Sequence, residues 1–194
     1  VYSLANGVSN PLVDTTIRKK RVNSLYFMAN LAYQEMLFLD ITGRNDWSST
    51  LPRKNRSFFY PSVSLSGVLN SMMKMPKWVN LLKVRASWAQ VGNDTQPYKT
   101  SPYYTTSDFS GSLVKPGTLY NADFKPEMST NWEGGLDFKA FGSRLGLDVT
   151  YYYNRTKNQI LNAPFDPTTG YTKGTINSGC VSNRGVEIVL RGTP

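Results

Sequence analysis

Apolar and polar residues alternate along seven stretches of the chain, a pattern that places successive side chains on opposite faces of a β-strand. In the clearest stretch Leu145, Leu147 and Val149 share one face, whereas Asp148 and Thr150 share the other. No segment has a convincing helical period, although the methionine-rich connection has room for one short helix. We therefore predict an all-β, antiparallel up-and-down meander forming one domain over residues 1–194, with strands at about 22–33, 36–45, 58–69, 80–91, 129–140, 144–155 and 182–192.

The lengths of the strands and connections favour a transmembrane barrel. Strands of about 10–12 residues exceed the roughly 5–6 residues usual in globular sheets and match the roughly 9–11 residues of a tilted spanning strand. Outer-membrane barrels also combine short periplasmic turns with longer external loops. A soluble β-sandwich shows the same alternation within strands, but it has no reason to gather long connections at one end. The short or modest connections lie around 34–35, 70–79 and 141–143, and the longer ones around 46–57, 92–127 and 156–181.

Aromatic residues gather near the ends of the predicted strands. Rings with one polar edge suit the headgroup level of a bilayer, whereas a soluble core more often holds its aromatic residues in mid-strand. We therefore expect two aromatic girdles. The girdle at the long-loop end would contain Phe58, Phe59, Tyr60, Trp88, Trp132 and Tyr151–Tyr153, and the girdle at the short-turn end Tyr33, Trp78, Phe138 and Phe141.

Charged residues on the polar faces would line the lumen of such a barrel. They could bind substrate or a cation, but opposite charges on neighbouring strands commonly stabilise a sheet. We therefore expect them to form ion pairs with Arg44, Arg85, Lys139 and Arg144, or to face a plug. The predicted lumen-facing residues are Asp40, Arg44, Arg85, Glu133, Asp137, Asp148 and Glu187.

Composition excludes several kinds of chemistry. The chain has 194 residues and no histidine, which rules out Ser-His-Asp and Cys-His sites and histidine-ligated metals. Its one cysteine, Cys180, can form neither an internal disulfide nor a cysteine-rich zinc site. Carboxylate pairs remain possible as catalytic groups, but we predict that the protein is not an enzyme and has no catalytic residues, metal site or cofactor.

The net charge of +9 raises the question of nucleic-acid binding. Aromatic residues do not interleave with the basic run Arg18–Arg21 as they would in a stacking platform. A basic run is more often a solvated surface, and we expect this one to lie in an external loop that faces anionic lipopolysaccharide. Nucleic acid is therefore not a predicted partner.

The ends of the chain suggest a segment of a longer polypeptide. The chain begins at Val1 and ends at Pro194 directly after a predicted strand, and it shows no signal-peptide pattern or apolar run long enough for a spanning helix. Seven strands cannot close a wide barrel, and an open sheet edge in lipid would leave backbone groups unpaired. We expect the rest of the barrel outside this chain.

Aromatic residues also fill the longest predicted loop. They could stack on sugar rings or pack on a partner protein, since long ordered loops tend to carry function. Packing within the loop is an equally open alternative. The candidate contact residues are Tyr98, Tyr103, Tyr104, Phe109 and Tyr120.

Six short motifs follow one another over about residues 20–194. Each is weak alone, but their order makes the set specific. They are Asp40-Ile-Thr-Gly-Arg-Asn-Asp46, Phe59-Tyr-Pro-Ser-Val-Ser64, Leu82-Lys-Val-Arg-Ala-Ser87 with Val91-Gly-Asn93, Asn131-Trp-Glu133 with Gly135-Leu-Asp137, Tyr151-Tyr-Tyr-Asn-Arg-Thr-Lys157, and Asn177-Ser-Gly179 followed by Asn183-Arg-Gly-Val-Glu187.

This series resembles the barrel signature of SusC/RagA-type TonB-dependent outer-membrane transporters. Two small departures are Trp88-Ala-Gln in place of Tyr-Gly-Gln, and Asn45-Asp46 where many members have Asp-Gly. The resemblance implies later strands of a 22-stranded barrel in the bacterial outer membrane, with the plug domain, the TonB box and the other strands outside this chain. It also implies TonB-driven import of glycan fragments or oligopeptides beneath a SusD-like lipoprotein lid. The alternatives are a passive porin or adhesin barrel without a plug, and a soluble carbohydrate-binding β-sandwich.

Overall fold

The computed structural model describes residues 17–106 and 111–193. Seven long strands form one antiparallel sheet, and long strands that are consecutive along the chain are also neighbours in the sheet. The all-β meander is therefore confirmed. The long strands are β1 (Val22–Tyr33), β2 (Leu37–Ser48), β3 (Ser57–Val68), β4 (Val79–Asn93), β8 (Glu127–Ala140), β9 (Leu145–Lys157) and β12 (Cys180–Gly192), and the shorter elements are α1 (Leu69–Met72), β5 (Thr105–Thr106), β6 (Leu113–Val114), β7 (Thr118–Leu119), β10 (Ile160–Pro164), a 3-10 turn (Pro167–Thr169) and β11 (Lys173–Asn177).

The connections at one end of the sheet are tight. Gln34 and Glu35 adopt left-handed φ angles of 48° and 55°, and the Met36 N–H donates to the Tyr33 carbonyl at 2.9 Å. The chain between β8 and β9 turns with three left-handed residues in succession, at 141–143. The connection between β3 and β4 contains the expected short helix, α1. Among the described residues, no helix has the length and apolar character needed to span a membrane.

The longer connections at the other end contain structure of their own. Strands β10, β11 and β7 form a small sheet in which β11 pairs with β7 in parallel. A small apolar core of Leu51, Phe58 and Phe124 lies in this layer, with Ile160 packed against it. The sequence pattern predicted only loops here, because strands of 2–5 residues are too short to show a period.

The register of the long strands separates an apolar face from a polar face. Residues directly opposite each other in an antiparallel pair point to the same face. Following the pairing from β1 to β12 therefore identifies every residue of each face. One apolar row contains Leu31, Leu39, Leu65, Ala86, Gly134, Tyr151 and Val186.

Candidate functional site

All seven predicted lumen-facing residues lie on the polar face. The register places Arg85 opposite Gly135, Asp137 opposite Asp148, and Glu187 opposite Thr150. It places the remaining three, Asp40, Arg44 and Glu133, on this face in the same way. Their common face is therefore established, whereas its position inside a lumen stays a prediction.

An ion pair crosses three strands at the centre of this face. Arg85 on β4 reaches over β8 and donates through Nη2 to Asp148 Oδ1 at 3.0 Å and to Thr150 Oγ1 at 2.6 Å, both on β9. Gly135 on β8 makes this possible, because a Cβ atom there would collide with the Arg85 side chain. Among the predicted ion pairs of the acidic residues with Arg44, Arg85, Lys139 or Arg144, the structure contains this one.

The other predicted ion pairs are not formed in the described part of the chain. Its ion pairs join Lys20 to Asp94, Arg44 to Asp46, Lys54 to Asp123 and Arg85 to Asp148, so Lys139 and Arg144 take part in none. Asp40 instead accepts a hydrogen bond of 2.5 Å from the Asn30 side chain. The sequence pattern gave the face of each charge correctly, but it could not choose the partner.

A second cluster lies on the polar face near the long-loop end. Asp46, which is 6% exposed, accepts from Arg44 Nε at 2.8 Å and from the Tyr60 hydroxyl at 2.7 Å. The Arg44 guanidinium lies over the Tyr60 ring, 5.9 Å from its centroid, and also donates to Ser24. Sequence reasoning missed Asp46 as a partner of Arg44, although the two-residue spacing places both side chains on one face.

An apolar groove adjoins this cluster. It has a volume of about 470 Å³ and a lining that includes Arg44, Tyr60, Tyr26, Met28 and Val91. Tyr26 and Met28 are 74% and 67% exposed. The groove therefore presents apolar side chains beside the guanidinium of Arg44, which is hydrogen-bonded to Asp46 and Ser24. Such a surface suits a ligand that combines a ring or chain with polar groups.

Three of the five candidate aromatic residues of the longest loop lie close together. Tyr98, Tyr103 and Tyr120 line one cavity of about 890 Å³, and the rings of Tyr103 and Tyr120 stack with centroids 6.3 Å apart. Burial and the neighbouring Tyr103 raise the pKa of the Tyr120 phenol. Tyr104 is exposed, and Phe109 lies outside the described residues.

Asp94 joins three segments at the long-loop end. It accepts from Lys20 Nζ at 2.5 Å, from the Ser48 hydroxyl at 2.5 Å and from the Thr50 hydroxyl at 3.2 Å. Ser48 and Thr50 are buried. This carboxylate therefore ties the basic run before β1 to the ends of β2 and β4, a role that no local sequence pattern indicated.

Several residues of the predicted girdles lie close together. On the apolar face Trp88 and Trp132 lie opposite each other with ring centroids 6.1 Å apart. At the short-turn end the Trp78 ring contacts Phe138 and Phe141. Tyr60, Phe58 and Tyr152 do not belong to a girdle on the apolar face, because the register places them on the polar face.

On the two outer strands of the sheet, the apolar residues of the apolar face end at different levels. Ala29 on β1 and Arg184 on β12 belong to the same paired row. On β1 the apolar residues of this face extend to Leu25, four residues from that row toward the long-loop end. On β12 they end at Val186, two residues from the row toward the short-turn end. This offset of six residues, at about 3.4 Å each, is roughly 20 Å across six strand spacings of about 4.8 Å.

Taken between the two outer strands alone, that offset corresponds to strands tilted by about 35°, within the roughly 35–45° tilt of transmembrane barrels. A flat apolar slab crossed by tilted strands would produce this boundary. Packing of the same face against a second sheet would require no such slope.

The whole chain matches one protein family. The model of the TonB dependent receptor-like beta-barrel family matches residues 2–193. The chain belongs to this family. The two-faced sheet described above is therefore part of a TonB-dependent receptor barrel.

Individual relatives of this TonB-dependent receptor chain agree. It is 28% identical over 178 residues to TonB-dependent receptor P39 of Formosa agariphila, covering 89% of this chain and 17% of that protein. It is 23% identical over 184 residues to TonB-dependent receptor SusC of Bacteroides thetaiotaomicron, covering 88% of this chain and 18% of that protein. The structure of the RagAB peptide transporter has a TM-score of 0.83 at 25% identity, covering 90% of this chain and 20% of that chain.

These likenesses confirm the resemblance to SusC/RagA-type barrels. The siderophore receptor PirA from Pseudomonas aeruginosa has a lower TM-score of 0.63 at 20% identity, covers 88% of this chain and 31% of that chain, and shows a shared fold alone. The chain spans about a fifth of the length of the curated relatives it matches.

Proposed function

We propose that this chain forms part of an outer-membrane TonB-dependent transporter that imports glycan fragments or oligopeptides. The observation that carries the proposal is a sheet with one apolar face and one polar face, the polar face holding twelve of the fifteen charged residues of the long strands. In this arrangement the band contacts lipid and the polar face lines the lumen, with Asp40, Glu133, Asp137 and Glu187 directed inward. The complete barrel has 22 strands, of which these seven are later ones.

The mode of transport follows from the family rather than from this chain alone. Energy would come from TonB acting on a plug and TonB box that belong to the complete protein. A SusD-like lipoprotein would cover the outer end of the barrel. The likeness to SusC and to the RagAB peptide transporter supports both partners, and the second likeness supports the oligopeptide class. The glycan class rests on the resemblance of the sequence motifs.

Two surfaces at the long-loop end are proposed substrate contacts. The groove beside Arg44 and Tyr60 offers apolar walls with a fixed cation, which suits an oligopeptide or a charged sugar. The cavity lined by Tyr98, Tyr103 and Tyr120 offers rings on which sugars can stack, and Tyr104 and Phe109 belong to the same loop. Both surfaces lie where a substrate arriving from outside would first meet the barrel.

Uptake by the complete transporter tests this proposal. Cells that express it should accumulate a fluorescent oligopeptide or oligosaccharide, and the accumulation should stop when TonB is deleted or the proton gradient is collapsed. Uptake that continues without TonB would indicate a passive porin and refute the energised mechanism. A gene that begins directly with barrel strands, with no plug or TonB box, would refute it as well.

Expression of residues 1–194 alone distinguishes the soluble alternative. A seven-stranded segment with an exposed apolar face should aggregate in plain buffer and be rescued only by detergent. A monomer that melts cooperatively in buffer would instead support a soluble carbohydrate-binding sandwich.

A further inference from the structure

The apolar face carries charge in one place. Twelve of the fifteen charged residues on the seven long strands lie on the polar face by register. The other three, Arg155 and Lys157 on β9 and Arg184 on β12, lie on the apolar face. All three are basic, and no acidic residue of the long strands accompanies them on that face.

These three side chains are adjacent and exposed. Arg184 lies opposite Tyr153, and Arg155 lies two residues farther along β9, so the two arginines are diagonal neighbours with Cα atoms roughly 7–8 Å apart. Arg155 Nε donates to Cys180 Sγ at 3.0 Å, its one side-chain hydrogen bond within the described residues. The terminal nitrogens of both guanidinium groups are therefore available to one external acceptor group.

The cluster occupies the boundary of the apolar band. Toward the long-loop end, Arg184 is the next residue on this face after Val186, where the apolar residues of β12 end. On β9, Arg155 is the next residue on this face after Tyr153. Below the cluster Val186, Ile188 and Leu190 are 59%, 66% and 71% exposed. The cluster lies at the end of the long connections, which is the external end of a bacterial barrel.

We propose that Arg155, Lys157 and Arg184 form a binding site for the phosphate groups of a phosphorylated glycolipid of the outer leaflet. Its acyl chains would lie on the apolar band beneath. Guanidinium groups bind phosphate through paired, charge-assisted hydrogen bonds, and basic residues at headgroup level are attracted to anionic lipid. The continuous exposed apolar surface below the cations favours a lipid over a free phosphate ion. The site rests on the proposed placement of this face in the outer membrane.

Binding of lipid A to the complete, detergent-purified transporter tests the site. Native mass spectrometry would measure the binding of diphosphorylated lipid A to the wild type and to a variant with Arg155→Gln, Lys157→Gln and Arg184→Gln. Each basic residue near an anionic surface strengthens binding about fivefold, so the triple variant should bind roughly a hundredfold more weakly. Dephosphorylated lipid A should bind both proteins equally weakly.

A matched variant controls for the loss of charge. Lys83→Gln, Lys139→Gln and Arg191→Gln remove three positive charges from the polar face of the same sheet and should leave lipid A binding within about twofold of wild type. Equal binding by the wild type and the first triple variant would refute the lipid site. So would equal losses in both triple variants, which would indicate a general charge effect.

Failure of the lipid site can be told apart from failure of the proposed function. Heat-modifiable migration in gels and fractionation report whether the transporter is a folded barrel in the outer membrane. A folded, correctly located barrel whose lipid A binding ignores the three substitutions would overturn the lipid site alone. A protein found outside the outer membrane would overturn the membrane placement itself.

Discussion

The stabilities of two variants, each with a single arginine on one face of β3, should show which face contacts lipid and which lines the lumen. Leu65 lies on the apolar face between Leu39 and Ala86, near the middle of the band, and is 43% exposed. Its neighbour Ser64 lies on the polar face opposite Asp40. Leu65→Arg and Ser64→Arg therefore make the same chemical change at adjacent positions with opposite environments.

The two substitutions should change the free energy of unfolding by amounts that differ several fold. An arginine facing lipid at the bilayer midplane costs about 2–4 kcal/mol, and one near the interface costs about 0–1 kcal/mol. Leu65→Arg should thus lower the stability of the complete barrel by about 2–4 kcal/mol. Ser64→Arg should change it by less than about 0.5 kcal/mol, because the new guanidinium faces Asp40 in a polar setting.

Guanidinium-induced unfolding from lipid vesicles, followed by tryptophan fluorescence, would measure both changes. Leu25→Arg supplies a depth control, because Leu25 lies on the same face at the upper boundary of the band. Its cost should be below about 1 kcal/mol. Equal costs for Leu65→Arg and Ser64→Arg, or a cost for Leu25→Arg as large as that for Leu65→Arg, would refute the assignment of this face to lipid.

Three further variants test the polar face and the long-loop layer. Asp148→Asn should destabilise the barrel by at most about 1 kcal/mol in the same unfolding assay, because Arg85 and Asp148 are 41% and 37% exposed and solvent screens their attraction; a loss above about 3 kcal/mol would contradict this. Phe124→Ala, at a fully buried side chain, should loosen the long-loop layer by about 3–5 kcal/mol, seen as faster amide exchange there but not in the long strands. Asp94→Ala should release the basic run before β1 and create a site for limited proteolysis near it; an unchanged cleavage pattern would contradict its role as a tie.

The long strands could be predicted from sequence because each has one apolar face and one polar face. Such a strand alternates along its 12–15 residues, and the observed β8 and β9 begin or end within about two residues of their predicted limits. The alternation also gives the face of every charge. It does not give cross-strand partners, since these depend on register and on gaps such as Gly135 that let Arg85 reach past one strand.

The long-loop end could be predicted less well, because its contacts join residues far apart in sequence. Asp94 lies 74 residues from Lys20, and the Tyr60 hydroxyl bonds Asp46 on the neighbouring strand. The sequence indicated that Tyr60 was an interfacial aromatic residue, since it follows Phe58 and Phe59 at a strand end. Its hydrogen bond to a buried carboxylate shows that aromatic clustering alone does not give the face.

The same physics explains why the register of this sheet is so strongly specified. A slip of one residue in β4 alone would turn Lys83 and Arg85 from the polar face into the middle of the apolar band. At about 2–4 kcal/mol for each basic residue in lipid, the slip would cost roughly 4–8 kcal/mol, comparable to the total stability of a typical domain. The three basic residues that do lie on the apolar face, Arg155, Lys157 and Arg184, lie beyond its last apolar residues on β9 and β12. Charge on this face is therefore confined to its edge, which is the arrangement that the proposed lipid site requires.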